Sequence, residues 1–377
     1  MEKLFVAFLV VALLTRPHGG ACSGSGGQKP FTSIVSFGDS LADTGNLPLW
    51  QDPVLPAVVS FMSPPYGETF FGHPIGRASD GRLVIDFVAD ALGLPLVPPF
   101  LAQGQDFTVG VNFAVAGAPA LNLTYLQGQG ITVISPMNVS LDDQLSWFEK
   151  SKHSLCHNGY GDSDCFGKSL FIVGEFGAND YSSILYSNMT LEEATAYVPK
   201  IVDTIANGVE RLIRHGARDI VVADMTPLGC MAAMLTLLEI RNNVDYDVHG
   251  CHKGVNMLSQ QHNSLLHERV ARIRSGHPYT RIIAAQHYRP IISFLQNPDH
   301  FGFNGDETLM ACCGAGGRYN VDLMRLCGQP GTAACVDPAS TVQWDGSHLT
   351  EAAYRRIAVG WLHGPYADPP ILHAALG

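Results

Sequence analysis

The sequence is poor in charged residues, and the charge that it carries is acidic. Charged side chains make up 15% of the 377 residues, with 23 Lys and Arg against 34 Asp and Glu, for a net charge of −11. An average soluble protein has about 25% charged residues. Because a nucleic-acid-binding protein needs a basic face for phosphates, this balance excludes nucleic acid as a partner.

Long hydrophobic runs and metal-binding motifs are also missing. Beyond the N-terminus no run of 18 apolar residues occurs, which excludes a multi-span membrane protein and predicts no stable membrane insertion. Despite 15 histidines, the sequence has neither His-Glu-X-X-His nor paired Cys-X-X-Cys spacing, so we expect no metal and no cofactor. Hydrophobic residues reach 46%, which predicts a folded protein with a large core.

Two features of the sequence point to the secretory pathway. Residues 4–14 form an apolar run that rises only about 16 Å as a helix, too little to cross a bilayer core of about 30 Å. We interpret residues 1–21 as a signal peptide, with a buried N-terminal helix as the alternative. Three Asn-X-Ser/Thr sequons, at Asn122, Asn138 and Asn188, are candidate glycosylation sites. We therefore expect a secreted protein.

Short apolar runs alternate with amphipathic helical patterns along the rest of the chain. Such alternation predicts an α/β protein with a parallel β-sheet and helices on both faces, in a single domain over residues 31–366. The runs are apolar on both faces, as buried parallel strands are. The five runs predicted as strands are residues 31–37, 107–114, 169–175, 219–224 and 281–286.

Capping residues and a proline predict where helices begin and break. Ser140 with Asp143 opens a helix to about residue 150, and Thr190 with Glu193 opens a longer one to about residue 216. Pro199 is expected to kink or split the longer helix. The other predicted helices cover residues 82–92, 253–275 and 350–362.

The nine cysteines predict disulfides, with one cysteine left over. Cleavage of the leader either removes Cys22 or leaves it as an odd thiol. Proximity in sequence suggests two bridges, Cys156 with Cys165 and Cys230 with Cys251. Two more bridges are expected in the Gly- and Pro-rich region 297–343, where the sequence does not fix the connectivity and the two adjacent cysteines could instead be free thiols. The cysteines of that region are Cys312, Cys313, Cys327 and Cys335.

Candidate site residues follow three of the predicted strands, at the carboxyl ends of the strands where open α/β sheets bind ligands. Ser40 follows the first strand, Gly117 the second and Asn179 the third. Asp345 and His348 stand three residues apart, just before the last predicted helix. Serine, glycine, asparagine and an Asp-X-X-His pair are the parts that acyl transfer needs.

Each of these residue types meets a chemical need of acyl transfer. A serine hydroxyl such as Ser40 attacks only when a base takes its proton, which suits the imidazole of His348. The carboxylate of Asp345 would hold that imidazole in the right tautomer. The backbone N–H groups of Ser40 and Gly117 and the side-chain amide of Asn179 would donate to the developing oxyanion.

Other polar residues near these motifs are expected to be structural. Asp39, Asp43 and Asn46 are of the types that form turns and caps. Asp180 is expected to cap a helix or to brace the first of the loops. His252 is expected to face solvent.

Six ordered blocks hold these residues and span most of the chain. The blocks are FGDSLADTGN (37–46), NFAVAGAPAL (112–121), GEFGANDY (174–181), ADMTPLGC (223–230), ACCGAGGRYN (311–320) and WDGSHLTEAAY (344–354). Together they resemble the plant-type GDSL esterase/lipase family of the SGNH hydrolase superfamily. The resemblance implies a three-layer α/β/α sandwich with a five-stranded, mostly parallel sheet. It also implies that Ser40 is the nucleophile, His348 the base and Asp345 its partner, with Gly117 and Asn179 completing the oxyanion hole.

Within that family the sequence is most similar to a subgroup of alkaloid acetyl esterases, sinapine-type choline-ester hydrolases and cell-wall polysaccharide deacetylases. We therefore expect a serine carboxylester hydrolase, secreted to the cell wall or apoplast or retained in the Golgi lumen. It would remove short acyl groups, above all acetyl, from cell-wall polysaccharide or from small glycoside and natural-product esters. Its expected partner is the ester substrate, and its oligomeric state stays open. The alternatives are a long-chain lipase or acyltransferase, and a catalytically silent carbohydrate-binding protein.

Overall fold

A six-stranded β-sheet lies at the centre of the computed structural model, which describes residues 31–50, 60–133, 138–156, 165–241 and 245–372. Five parallel strands correspond to the five predicted runs and are ordered β2-β1-β3-β4-β5. They are almost entirely buried, as their apolar character on both faces predicts. These strands are β1 (Ser33–Phe37), β2 (Gly110–Asn112), β3 (Ser169–Val173), β4 (Asp219–Ala223) and β5 (Arg281–Ala285).

The prediction of a five-stranded sheet is wrong by one strand. Two short strands, β6 (Cys313–Gly314) and β7 (Ala333–Ala334), pair with each other outside the sheet. A third, β8 (Ala367–Asp368), pairs antiparallel with the end of β5 and becomes the sixth strand of the sheet. A two-residue strand shows no periodicity in sequence, because a strand pattern needs four or more residues to be recognised.

Helices lie on both faces of the sheet, which confirms the three-layer arrangement. The helices are α1 (Asn46–Leu49), α2 (Val84–Ala91), α3 (Leu123–Gly128), α4 (Leu141–Leu155), α5 (Ala178–Tyr186), α6 (Leu191–Ala196), α7 (Val198–Arg214), α8 (Ala232–Ile240), α9 (Lys253–Gly276), α10 (Tyr288–Gln296), α11 (Pro298–Phe301) and α12 (Glu351–His363). Helices α4, α7 and α9 pack together as one layer, and α2, α10 and α12 pack together as the other. Single 3₁₀ turns cover Ser60–Met62, Leu228–Cys230, Gly305–Glu307 and Pro338–Ser340.

The predicted capping signals act as expected. Ser140 and Asp143 form a capping box at the start of α4, with the Ser140 N–H donating to Asp143 Oδ2 at 2.8 Å. Thr190 and Glu193 form the corresponding box at the start of α6. Pro199 lies in the first turn of α7, so the long predicted helix is split into α6 and α7, as its proline predicts.

Four disulfides connect the cysteines that the structure describes. The bridges Cys156–Cys165 and Cys230–Cys251 confirm the two predicted pairs. The last four cysteines form two bridges, and the free-thiol alternative for the adjacent pair is wrong. These bridges are Cys312–Cys335 and Cys313–Cys327. Cys22 and the predicted signal peptide, residues 1–21, lie outside the described residues.

The asparagines of the three sequons lie on the surface. Asn122, Asn138 and Asn188 are all exposed, and glycosylation at each remains a prediction.

The expectation that His252 faces solvent is wrong, because only 1% of its surface is exposed. Its Nδ1 accepts the N–H of Val255 at 3.3 Å, so the imidazole serves as the N-cap of α9 and is buried in that role.

Candidate active site

Asp345 and His348 form a buried pair in the loop that precedes α12. His348 Nδ1 lies 2.7 Å from Asp345 Oδ2, and the two side chains are 10% and 7% exposed. Asp345 Oδ1 also accepts the backbone N–H groups of Ser347, at 3.0 Å, and of His348, at 2.9 Å. With Nδ1 donating to the carboxylate, Nε2 of His348 is left as the proton acceptor.

The charges of this pair tune each other. Burial alone would lower the pKa of His348, but the carboxylate of Asp345 and the more distant Asp39 outweigh it and raise that pKa above 6.5. Burial alone would raise the pKa of Asp345, but attraction to His348 and hydrogen bonds to its carboxylate hold that pKa below 3.8. Asp345 is therefore an anion at neutral pH and stabilises the imidazolium that forms when His348 takes a proton.

Tyr66 is a site residue that the sequence did not reveal. Its hydroxyl donates to Asp345 Oδ2 at 2.7 Å, and only 1% of its surface is exposed. Burial and the charge of Asp345 raise the pKa of Tyr66 well above 10, so the phenol keeps its proton and stays a donor. Its ring packs edge-on against Trp344 and Phe61, and Phe61 packs edge-on against His348. Tyr66 therefore holds the same carboxylate oxygen that His348 Nδ1 contacts.

Ser40 lies half-buried in a turn directly after β1. The backbone carbonyl of Asp39 accepts the N–H of Ala42 at 3.1 Å and so closes the turn. Gly38 precedes this turn, and the buried side chain of Gln144, on α4, makes two hydrogen bonds to its backbone. The Gly38 N–H donates to Gln144 Oε1 at 3.0 Å, and Gln144 Nε2 donates to the Gly38 carbonyl at 2.8 Å. The position of the serine is thus set by the end of a strand and by a helix.

Gly117 lies in the loop after β2, between two buried carboxylates. Asp43 Oδ2 accepts the N–H of Ala116 at 2.9 Å, while the Asp180 carboxylate accepts the N–H groups of residues 120–121 at 2.8 and 3.0 Å. Gly117 has φ +84°, a conformation that glycine adopts at little cost. Asp180, expected to cap a helix or to brace the first loop, thus braces the Gly117 loop.

Asn179 connects the two loops from the first turn of α5. Its Nδ2 donates to Asp39 Oδ2 at 2.7 Å and to the Ala118 carbonyl at 3.3 Å. The amide predicted for an oxyanion hole therefore lies beside both the turn of Ser40 and the loop of Gly117. Asp39, expected to be only a turn former, is also the acceptor that orients this amide.

Electrostatic contact brings the histidine loop to the same place. The charge of Asp39, the neighbour of Ser40, adds to that of Asp345 in raising the pKa of His348. The described residues show no hydrogen bond between Ser40 Oγ and His348 Nε2, although such bonds in ligand-free enzymes often form only with substrate bound. The loops of Ser40, Gly117 and His348 and the first turn of α5, which carries Asn179, thus meet around Asp39.

Within the described ranges, no three His, Cys, Asp or Glu side chains are grouped so that they could hold a metal ion. In the same part of the chain, no helix has both the length and the apolar character needed to cross a membrane.

The fold and the site together define an α/β protein of the SGNH hydrolase type. Its mostly parallel sheet carries a serine turn, a glycine loop, an asparagine amide and a buried His–Asp pair along one edge. Residues 34–361 match the family model described as GDSL-like Lipase/Acylhydrolase. The chain belongs to this family, and it is an enzyme of the carboxylic ester hydrolase class.

Curated relatives cover nearly the whole chain. Three Arabidopsis thaliana proteins, each named a GDSL esterase/lipase, illustrate the similarity. The first is 45% identical over 352 residues, covering 92% of this chain and 86% of its own. The second is 42% identical over 372 residues, covering 98% and 91%, and the third is 42% identical over 346 residues, covering 90% and 92%.

Proposed function

We propose that the protein is a secreted serine esterase in which Ser40 is the nucleophile, His348 the general base and Asp345 the residue that orients the base. The observation that carries the proposal is the 2.7 Å contact between His348 Nδ1 and Asp345 Oδ2. This contact leaves Nε2 as the acceptor, and the raised pKa of His348 makes it an effective base near neutral pH.

The reaction would take place in two halves. Ser40 Oγ attacks the ester carbonyl carbon while His348 Nε2 takes the serine proton. The tetrahedral intermediate collapses to an acyl-enzyme, and the imidazolium gives its proton to the leaving alcohol. Water then attacks the acyl-enzyme with the same base, which releases the carboxylic acid and regenerates Ser40.

Three donors would bind the oxyanion: the backbone N–H groups of Ser40 and Gly117 and the amide of Asn179. Asn179 Nδ2 makes a 2.7 Å hydrogen bond to Asp39 and a longer one, at 3.3 Å, to the Ala118 carbonyl. The longer bond is the one that an oxyanion would replace. Loss of one such donor costs about 100-fold or more in kcat in well-studied hydrolases.

For the substrate we propose a short-chain ester, above all an acetyl group on cell-wall polysaccharide or on a small glycoside. The similarity of the sequence blocks to the acetyl- and sinapine-esterase subgroup supports this choice. The net charge of −11 disfavours polyanionic substrates and is compatible with neutral esters.

Secretion to the cell wall, or residence in the Golgi lumen, is the location that we propose. Four disulfides support it, because such bridges persist in oxidising compartments and are rare in the cytosol. The exposed sequons at Asn122, Asn138 and Asn188 support it as well.

The test compares the mature glycosylated protein with Ser40→Ala and His348→Ala on p-nitrophenyl acetate, a long-chain p-nitrophenyl ester and acetylated xylan. We expect the wild type to prefer the acetyl substrates, and both variants to lose nearly all activity. Equal rates for wild type and Ser40→Ala would rule out Ser40 as the nucleophile. Preference for the long-chain ester would favour a lipase, and transfer to an added alcohol in place of hydrolysis would favour an acyltransferase. Carbohydrate binding without turnover would favour the silent binding protein.

A further inference from the structure

Glu175 is a buried carboxyl group for which the catalytic steps give no role. It follows β3 directly, only 1% of its surface is exposed, and its Oε1 accepts the N–H of Ala178 at 3.1 Å. Its other oxygen, Oε2, is buried and receives no N–H or O–H donor from the described residues. Asp39 and Glu175 each stand two residues beyond Phe37 and Val173, which pair in the sheet, so their buried carboxyl groups lie next to each other at the ends of β1 and β3. Two neighbouring buried carboxyl groups can form a hydrogen bond only with a proton between them.

The surrounding donors decide which of the two carboxyl groups carries the proton. Asp39 accepts the Leu41 N–H at 2.9 Å on Oδ1 and the Asn179 amide at 2.7 Å on Oδ2. Glu175 accepts one backbone N–H and has a second oxygen with no donor. Hydrogen bonds from donors stabilise the ionised form of a carboxyl group, so Asp39 is the anion and Glu175 is the neutral acid that donates to it.

We propose that Glu175 is a positioning residue whose neutral carboxyl group donates to Asp39 and thereby holds the Asn179 amide in the oxyanion hole. The proposal rests on the proposed function, since it assigns a role within that site. Glu175 touches neither the substrate nor the reacting atoms. It acts through Asp39, which is hydrogen-bonded to Asn179 and is attracted electrostatically to His348.

The surroundings keep this arrangement stable at neutral pH. Burial, followed by the charge of Asp39 and its hydrogen bond, raises the pKa of Glu175 well above 4.5. Burial also raises the pKa of Asp180 to about 7, so a charge there further disfavours ionisation of Glu175. The titratable groups that face the pair are Asp180 and Tyr181 from α5, His348 from the loop before α12, and Tyr354 from α12, with His262 of α9 bonded to Tyr181.

Ionisation of Glu175 would place two anions in contact and remove the hydrogen bond between them. The side chain of Asp39 would then move away from Glu175, and the Asn179 amide that Asp39 orients would lose its position. Because the proton leaves Glu175 only above its raised pKa, kcat should fall at alkaline pH. A variant that donates the same hydrogen bond but cannot ionise should lack this alkaline loss.

The experiment uses two substitutions at Glu175 and the same two at a carboxylate outside the site. Glu175→Gln keeps a donor toward Asp39 and an acceptor for the Ala178 N–H, whereas Glu175→Leu keeps the bulk and loses both. Glu149, on the outer part of α4 beside Arg211, provides the matched control as Glu149→Gln and Glu149→Leu. The readouts are kcat, KM and the pH profile on p-nitrophenyl acetate, thermal unfolding, and the infrared band of a protonated carboxylic acid in full-length protein at neutral pH.

We expect Glu175→Leu to lose on the order of 100-fold in kcat with little change in KM, as when an oxyanion donor is lost. Glu175→Gln should keep most of the kcat, lack the alkaline loss and lack one carboxylic-acid infrared band, while both Glu149 variants keep the kcat, the pH profile and the infrared bands of the wild type. The proposal is overturned if Glu175→Gln is as impaired as Glu175→Leu, if Glu175→Leu keeps the wild-type kcat, or if the spectrum of wild type minus that of Glu175→Gln shows no carboxylic-acid band.

Two further readouts keep this test independent of folding and of the proposed function. If Glu175→Leu does not fold, the pH profile and the infrared spectrum of Glu175→Gln decide. If the wild-type protein hydrolyses no ester, the proposed function fails, and the infrared comparison still shows whether Glu175 carries the proton.

Discussion

Two regions of the molecule deliver the site residues, and they are held in different ways. Ser40 and Gly117 lie in the loops after β1 and β2, and Asn179 lies in the first turn of α5, after β3. Buried side chains fix these loops through hydrogen bonds: Gln144 on the serine turn, Asp43 and Asp180 on the glycine loop, and Asp39 on the amide. We call this region the polar network.

Asp345 and His348 directly follow a region that is held covalently, the cysteine-rich segment 311–344. The bridges Cys312–Cys335 and Cys313–Cys327 cross it. Its adjacent cysteines donate backbone N–H groups to the carbonyls of Gln343, at 2.9 Å, and Trp344, at 2.7 Å, immediately before Asp345. The histidine loop is therefore attached to a segment with little periodic structure that disulfides hold in shape.

The difference shows that one active site can depend on two kinds of restraint. The polar network contains buried carboxyl groups that titrate, so its hydrogen bonds depend on pH and on packing. The cysteine-rich segment depends on the redox state, because its shape follows from cross-links. Perturbing one region at a time should therefore give distinguishable losses.

The largest effect should come from Asp345→Asn, which removes the charge that orients His348. An amide favours the wrong imidazole tautomer, and the corresponding change in a serine protease lowers kcat by about 10⁴-fold. We expect a loss of that order, measured as kcat on p-nitrophenyl acetate. Ser347→Ala is the matched control, because Ser347 donates to Asp345 through its backbone N–H and not through its side chain. A residual kcat within tenfold of wild type would contradict this role.

The next effect separates two disulfides. Cys313→Ser with Cys327→Ser should lower both the free energy of unfolding and kcat, because Cys313 is bonded to Trp344, the residue before Asp345. Cys156→Ser with Cys165→Ser should lower stability only, since that bridge lies near the starts of the strands. Each bridge contributes on the order of 3 kcal/mol in the chain-entropy model. Urea unfolding and kcat measured in parallel test the difference, which equal losses of kcat would refute.

Tyr66→Phe should have a smaller effect. It removes the hydroxyl that donates to Asp345 Oδ2 and leaves the ring between its aromatic neighbours. A hydrogen bond to a charged group contributes roughly 1.5–3 kcal/mol, so we expect kcat to fall by about 10- to 100-fold. Tyr279→Phe, at a side chain that is 95% exposed, is the control. An unchanged kcat in Tyr66→Phe would show that Asp345 and His348 need no third partner.

The smallest effect is a pH dependence confined to the polar network. Burial raises the pKa of Asp43 to about 6 and of Asp180 to about 7, from 3.8. A carboxyl group whose pKa is raised by folding stabilises the protein fully below its unfolded pKa, and this contribution is lost as pH rises through its folded pKa. We therefore expect the melting temperature to fall between pH 4 and pH 8.

The variant that tests this dependence is Asp180→Asn. It should be less stable overall, because an amide offers one oxygen to the two N–H groups of residues 120–121. Its melting temperature should nevertheless change less with pH than that of the wild type. Thermal scans across the pH range measure the slope, and Asp322→Asn in the cysteine-rich segment should leave that slope unchanged. The same slope in Asp180→Asn and wild type would assign the pH dependence to other groups.

The sequence predicts much of the fold because its signals are local. Each of the five parallel strands is an apolar run, and Pro199 splits the long helix where a missing N–H can be tolerated. β8 escapes such reasoning because two residues carry no pattern. The pairing of Cys312 and Cys313 escapes it for another reason: adjacent cysteines exchange partners without altering any local signal, and only their placement in the fold decides.

Prediction of the site follows the same division. The residues proposed for the chemistry, such as Ser40 and His348, stand in short motifs whose residue types match the needs of acyl transfer. Tyr66 does not, because its hydroxyl reaches a carboxylate 279 positions away in the chain. Glu175 stands within a motif, but its role depends on a contact with Asp39 from another strand end, which no spacing reveals.

The double hydrogen bond from Gln144 to Gly38 has a mechanical consequence. A carboxamide presents one donor and one acceptor, as a peptide group does, so Gln144 supplies what a neighbouring strand would supply where β1 ends. The serine turn is thereby coupled to α4, whereas the histidine loop is coupled to the cross-linked segment. In the proposed reaction, the distance between Ser40 and His348 therefore depends on the alignment of α4 with that segment, and a shift of α4 by an ångström would change it.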